Sequence, residues 1–291
     1  MNYIFFGSPK FAAIVLNEAA KAGFSPSIVI TNPDRPAGRK KILTPPPVKL
    51  AAEKLKIPIL QPEKLTPQIF GSRTSEKTFF YSFFLVAAYG KLIPEKILEI
   101  PRFGVLNIHP SLLPIYRGPT PIQTAILNGD KETGVSLMLL DKELDHGPII
   151  AREKITIAET DTTETLSERL ATLGVKLLIQ IIPDFLDNKI KPIPQNHLKA
   201  SITKKFETGD AFVKYKDLAD AVSGKSPEKA GKINCLIRAL NPEPGTWTIT
   251  GENPILNISK NKRVKLLESE AEGDTLILKK IQVEGKNPYF V

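Results

Sequence analysis

Asn107, His109 and Asp145 are the residues of this 291-residue chain whose types and spacing suit acyl transfer. The first two stand two apart where the apolar run GVLNIH gives way to PSLLP, and the third follows in LDHGP. An unperturbed histidine titrates near about 6.5, so His109 can exchange protons around neutrality. The amide of Asn107 can donate to negative charge developing on a carbonyl oxygen. An aspartate beside a histidine orients it. Such a set serves acyl transfer without a covalent enzyme intermediate, and no Gly-x-Ser-x-Gly nucleophile or cysteine competes with it. Residue types alone leave a blander reading open: a lone strand histidine is more often structural, and an aspartate just ahead of a glycine is most often a turn residue. Pro110 and Pro114 weigh against that reading, because proline fixes the backbone and stiffens the loop beside the polar pair.

The elements that must position this set alternate between strand and helix patterns. YIFF, PSIVIT, IPILQ, FFLVAAY and GVLNIH read as buried strands. AAIVLNEAAKAGF, ending at Gly23, and PPPVKLAAEKLK read as helices, and PEKILEI as a helical turn. The alternation predicts an α/β fold with a doubly wound, mostly parallel sheet. Ligands of such sheets sit at the carboxyl ends of the strands, which is where Asn107 and His109 fall, on one side of the sheet. PIQTAILNG then predicts a helix stopped at Gly129, and VSLMLLDKELDHGPIIAREKITI two extended segments joined around Asp145 and Gly147. The longest helical pattern is TTETLSERLATLGVKLLIQIIPDFLDN, with Thr162 or Thr163 as its N-cap.

Residues 1–191 are thus expected to form the catalytic domain, 192–208 a polar, proline-containing linker, and 209–291 a second domain. The last region carries the helical piece PEKAGKINCLIRAL and short strands in GTWTIT, PILNIS, RVKLLES and DTLILKKIQV, which suggests a small β-barrel.

Arg35, Arg39, Lys40 and Lys41 oppose only Asp34 in the loop NPDRPAGRKK, so the loop could grip a phosphate backbone; a solvated surface loop is the competing reading. The net charge of +9 favours polyanionic partners in the same sense. One cysteine, Cys235, excludes an internal disulfide and suits a reducing compartment, and three histidines with one cysteine make a metal centre unexpected. The first residues lack a signal-peptide pattern and no apolar run reaches the length of a membrane span, so a cytoplasmic location without membrane attachment is expected. GSPKFA has one glycine where the dinucleotide fingerprint needs three.

GSPKFA, NPDRPAGR, AAYGKLIP, NIHPSLLPIYRGPTPIQTAILNGDKETGVSLM, LDHGPII and IRALNPEPGTW together resemble the folate-dependent formyltransferases, and within them the methionyl-tRNA formyltransferases, over nearly the whole chain. The resemblance implies transfer of a formyl group from 10-formyltetrahydrofolate to the α-amino group of methionyl initiator tRNA, with no metal. It implies Asn107, His109 and Asp145 as the catalytic trio and Ser111, Leu112, Leu113 and Pro114 as the folate-holding segment. By the same resemblance Phe11 lies near the methionine, the basic loop of Arg35, Arg39, Lys40 and Lys41 meets the tRNA, and the tail is a small oligonucleotide-binding-type (OB-like) barrel. His146 in the LDHG turn and Glu243 in NPEPG depart from the pattern. Two alternatives share its motifs or fold: formyl transfer to glycinamide ribonucleotide, which would not need NPDRPAGR or the last eighty-odd residues, and a noncatalytic RNA-binding protein, which would have no use for the trio.

Overall fold

The computed structural model describes residues 2–38, 41–70, 81–251 and 258–291, so Arg39, Lys40 and most of the expected strand PILNIS lie outside the described residues. In chain order the elements are β1 (Tyr3–Gly7), α1 (Lys10–Lys21), β2 (Ile28–Ile30), β3 (Arg35–Ala37), β4 (Ile42–Thr44), α2 (Pro47–Lys54) and β5 (Ile59–Leu60). Then come β6 (Phe83–Ala87), α3 (Glu95–Leu98), β7 (Val105–His109), α4 (Pro121–Leu127), β8 (Glu132–Leu139), β9 (Ile149–Thr156) and α5 (Thr163–Leu186). The chain continues with α6 (Tyr215–Val222), α7 (Pro227–Leu240), β10 (Trp247–Ile249), β11 (Arg263–Glu272), β12 (Thr275–Val283) and β13 (Tyr289–Phe290).

The chain forms two compact units. The first holds residues 1–119, 134–155 and 167–202. Its sheet runs β5-β2-β1-β6-β7-β8-β9, with β5, β2, β1, β6 and β7 parallel and β8 antiparallel to β7. The strands β1, β6 and β7 are buried at every position, which is why they read as continuous apolar runs. Ile4, Phe6, Ile30, Phe84, Val86 and Val105 form one core layer there, with Phe6 and Phe84 rings 5.4 Å apart. On α1 the buried side chains Phe11, Ala12, Val15, Leu16 and Ala19 recur on one face, as an amphipathic helix requires. The helices α2, α4 and α7 each open on a proline, whose missing N–H would have no partner in the first turn anyway. Thr162 caps α5: its Oγ1 accepts from Thr165 N at 3.3 Å, while Thr165 Oγ1 accepts from Thr162 N at 2.9 Å.

The second unit takes in residues 120–133, 156–166 and 203–291. It carries the OB-like antiparallel sheet, ordered β10-β11-β12-β13 among the described residues. Leu218, Ala230, Ile233, Ile237, Val264, Leu266, Leu276 and Ile281 make its core. The buried positions of β12 change phase between Leu278 and Ile281, and the β11 pairing slips at Glu268 in the same place. A bulge there re-aims the following side chains inward.

Four elements are absent from the expected pattern. The basic loop folds back on itself as the β3–β4 hairpin, α6 precedes α7, and β13 closes the sheet edge. The strands are two or three residues long, one of them holding Pro36, and so show no alternation, and α6 spans only about two turns. Among the described residues no helix is long and apolar enough to cross a membrane.

Candidate active site

Asn107 and His109 end β7, two residues apart, and are only 7% and 5% exposed. Across from them Asp145 lies in the turn between β8 and β9 at φ 46°, a left-handed conformation that few non-glycine residues adopt. Gly147 makes that turn possible: a Cβ on it would lie 2.1 Å from the carbonyl oxygen of Leu139. The turn brings the Asp145 carboxylate to both β7 residues. Asn107 Nδ2 donates to Asp145 Oδ1 at 3.4 Å, and His109 Nδ1 stands 3.7 Å from the same oxygen. The other carboxylate oxygen, Oδ2, accepts from the backbone N–H of Gly118 at 2.8 Å.

His109 Nε2 lies 2.9 Å from the carbonyl oxygen of Tyr116. A carbonyl only accepts, so Nε2 carries a proton and Nδ1, the nitrogen facing Asp145, is the one free to gain or lose one. One oxygen of Asp145 is therefore anchored by a backbone donor while the other serves Asn107 and His109 together. Both contacts to that oxygen are longer than ideal, leaving room for a reacting group to draw the amide and imidazole toward itself.

The stiff segment after β7 is tied down from beneath. Ser111 and Leu113 are fully buried. Ser111 Oγ donates to Ile115 O at 2.6 Å, and its carbonyl accepts from Ser136 Oγ at 2.7 Å. Ser136 Oγ also receives Leu113 N at 2.9 Å, and Arg152 Nη1 donates to Leu113 O at 2.9 Å. Both backbone groups of Leu113 are thus committed internally. Leu112 and Pro114 keep partial exposure, so the surface this segment offers comes from those two.

Of the remaining sequence-derived residues, Phe11 is 8% exposed on α1 and belongs to the packing of that helix. Arg35 is exposed in β3, with Nη2 2.6 Å from Glu63 Oε2. Lys41, at φ 49°, is exposed in the hairpin turn. At the base of the hairpin Lys49 Nζ pairs with Asp34 at 2.8 Å, and Gln61 Nε2 donates to the same carboxylate at 2.8 Å. The Gln61 hydrogen bond and Lys49 together hold the Asp34 carboxyl below its ordinary value. Among the described residues, Arg35 and Lys41 of the hairpin are thus not brought into the cluster around Asp145.

Sequence reasoning missed the backbone partners Tyr116 and Gly118, together with Arg117 and Gln195. Backbone groups leave no mark in a sequence beyond the glycine itself, and Gln195 sits in a polar stretch without periodicity. Among the described residues no group of three or more His, Cys, Asp and Glu side chains is placed to hold a metal ion. The site has instead an amide donor, a titratable imidazole and an anchored carboxylate, which together suit transfer of an acyl group to an amine.

Comparison with known proteins bears on which acyl group this is. Residues 1–182 match the family model described as formyl transferase. A methionyl-tRNA formyltransferase of Chloroflexus aurantiacus is 40% identical over 256 residues, covering 88% of this chain and 78% of the relative. One of Listeria monocytogenes is 40% identical over 253 residues, covering 86% and 76%. The solved methionyl-tRNA formyltransferase from Clostridium thermocellum, at 16% identity, shares the fold over 97% of this chain and 98% of that one with a TM-score of 0.57. With a family model over residues 1–182 and relatives 40% identical over most of their length, the chain belongs to the methionyl-tRNA formyltransferase family.

Proposed function

We propose that Asn107, His109 and Asp145 carry the transfer of a formyl group from 10-formyltetrahydrofolate to the α-amino group of methionyl initiator tRNA. The observation that carries this reading is the shared carboxylate: Asp145 Oδ1 faces both the Asn107 amide at 3.4 Å and the His109 imidazole at 3.7 Å. Formyl-group transfer itself follows from membership of the family.

The reaction joins the amine nitrogen to the formyl carbon and breaks the bond between that carbon and N10 of the folate. One proton passes from the attacking amine to the departing nitrogen. The amine must be neutral to attack, a condition the weakly basic amine of an aminoacyl ester meets more readily than a free amino acid. As charge develops on the formyl oxygen, the Asn107 amide and the Nδ1–H of a protonated His109 are its donors. Asp145 supports the positive imidazolium and relays the proton. Because Gly118 N holds Oδ2, the carboxylate keeps its aim through the exchange.

For the folate, the available wall is Leu112 and Pro114, presented by a segment that Ser136 and Arg152 hold rigid. For the tRNA, the exposed Arg35 and Lys41 of the hairpin supply positive charge, to which Arg39 and Lys40 add in the sequence. The near-buried Phe11 is assigned to the methionine side of the crevice. Folding and action in the cytoplasm agree with the single, unpaired Cys235.

The test supplies 10-formyltetrahydrofolate with methionyl initiator tRNA or with glycinamide ribonucleotide and follows formyl transfer to each. Transfer to the aminoacyl-tRNA alone is expected. Transfer to the ribonucleotide would keep the trio and overturn the acceptor, and transfer to neither would return a binding role to the front.

A further inference from the structure

Arg117 and Gln195, 8% and 6% exposed, are two buried polar side chains for which the proton chemistry has no direct use. A guanidinium taken out of water persists only where its donors are satisfied. Here Arg117 Nε and Nη2 both donate to Gln195 Oε1, at 3.1 and 2.7 Å, and Nη2 also reaches His197 Nδ1 at 2.8 Å. That grip fixes which end of the Gln195 amide faces which way. Its Nε2 then points at the turn after β8 and donates to two carbonyls, Asp145 O at 2.9 Å and Gly147 O at 2.8 Å.

The other side of the pair is equally well placed. Arg117 lies between Tyr116, whose carbonyl receives His109, and Gly118, whose N–H holds Asp145. Its own backbone is pinned, since Arg117 N donates to Ser201 O at 2.9 Å and Tyr116 N to Ser201 Oγ at 2.9 Å. The stretch around 195–201 therefore binds the turn that orients His109 to the turn that carries Asp145. A third tie runs through His197, whose ring stacks 4.0 Å from that of His146, the residue next to Asp145.

We infer that Gln195, gripped by Arg117, is a positioning residue for formyl transfer: it holds the left-handed Asp145 turn at the distance from β7 that lets one carboxylate serve Asn107 and His109. The inference rests on the reading of Asp145 as a catalytic residue. A displacement of the carboxylate by about 1 Å is enough to cost on the order of 100-fold in rate.

The informative variant is Gln195→Glu, which still accepts from Arg117 but can no longer donate to the two carbonyls. Steady-state formyl transfer is measured for wild type, Q195E, Asp145→Asn and the double variant, with a thermal melt of each. Q195E is expected to melt several degrees below wild type while remaining folded, because two nearly buried carbonyls lose their donor, to lose about 10- to 100-fold in kcat, and to keep both KM values within about twofold. In the D145N background the same change is expected to cost less than about twofold, because the residue it positions is already disabled. Arg117→Lys, which keeps the charge and loses the fork, gives the same comparison by an independent route if Q195E fails to fold.

Unchanged kcat in Q195E, or an equal loss in both Asp145 backgrounds, would overturn the positioning role while leaving the trio standing. Full activity of D145N would instead remove the catalytic reading on which it rests.

Discussion

The end of β7 and the β3–β4 hairpin are both polar stretches following buried strands of one sheet, yet they are built in opposite ways. At β7 the polar side chains are almost out of water: Asp145 accepts from Asn107 and from Gly118 N, and His109, bonded to Tyr116 O, faces the same carboxylate at 3.7 Å. In the hairpin Arg35, Ile42 and Leu43 face solvent, and the main polar anchor is at its base, where Asp34 meets Lys49 and Gln61. The difference fits the role proposed for each. Stabilising charge on one reacting oxygen demands donors fixed before the substrate arrives, since reorganisation at that moment costs rate. Gripping a phosphate backbone needs positive charge at roughly the right place, and long exposed side chains adapt to it.

Breaking the β7 end should give the largest effect. His109→Ala or Asn107→Ala is expected to lower kcat by about 10²- to 10⁴-fold while tRNA affinity, read by filter binding, stays within about twofold. Next is Gly147→Ala, whose methyl has to displace the Leu139 carbonyl. Denaturant unfolding should show a loss of about 1–3 kcal/mol, and kcat should fall with it as the Asp145 turn shifts.

The hairpin should respond differently. Arg35→Ala and Lys41→Ala are each expected to weaken tRNA binding with kcat at saturation unchanged, and each to reduce the slope of log K against log salt by about 1. The smallest effect belongs to Asp34→Asn. The folded state holds this carboxyl below its ordinary value of 3.8, so its contribution is present above that pH and is lost as pH falls through the depressed folded value. A melt at neutral pH should drop by no more than about 4 °C, and the difference from wild type should vanish on acidification through that range.

The contrast also explains what could be read from the sequence. YIFF, FFLVAAY and GVLNIH were legible as strands because burial on both faces leaves unbroken apolar runs, and Asn107 and His109 stood out against that background. PEKAGKINCLIRAL is α7 residue for residue, its start marked by Pro227. The supporting half of the site was not legible. Tyr116 and Gly118 act through backbone atoms that every residue possesses. The polar stretch read as a linker meets its neighbours through single bridges, Ile193 with Ile149 and Ile202 with Arg117, rather than through a ladder with a period. Gln195 matters because of where Arg117 turns its amide, a relation spanning 78 residues that no local pattern encodes. The hairpin was legible as charge and not as strands, because three-residue strands, one holding Pro36, show no alternation.

The division of labour between the two regions is tested most directly by single-turnover formyl transfer at saturating 10-formyltetrahydrofolate over a titration of methionyl initiator tRNA. The double variant Arg35→Ala/Lys41→Ala should need more tRNA but reach the wild-type rate, whereas His109→Ala should remain slow at every concentration. A hairpin variant that stays slow at saturation, or a His109 variant that recovers there, would contradict the assignment of chemistry to β7 and recognition to the hairpin.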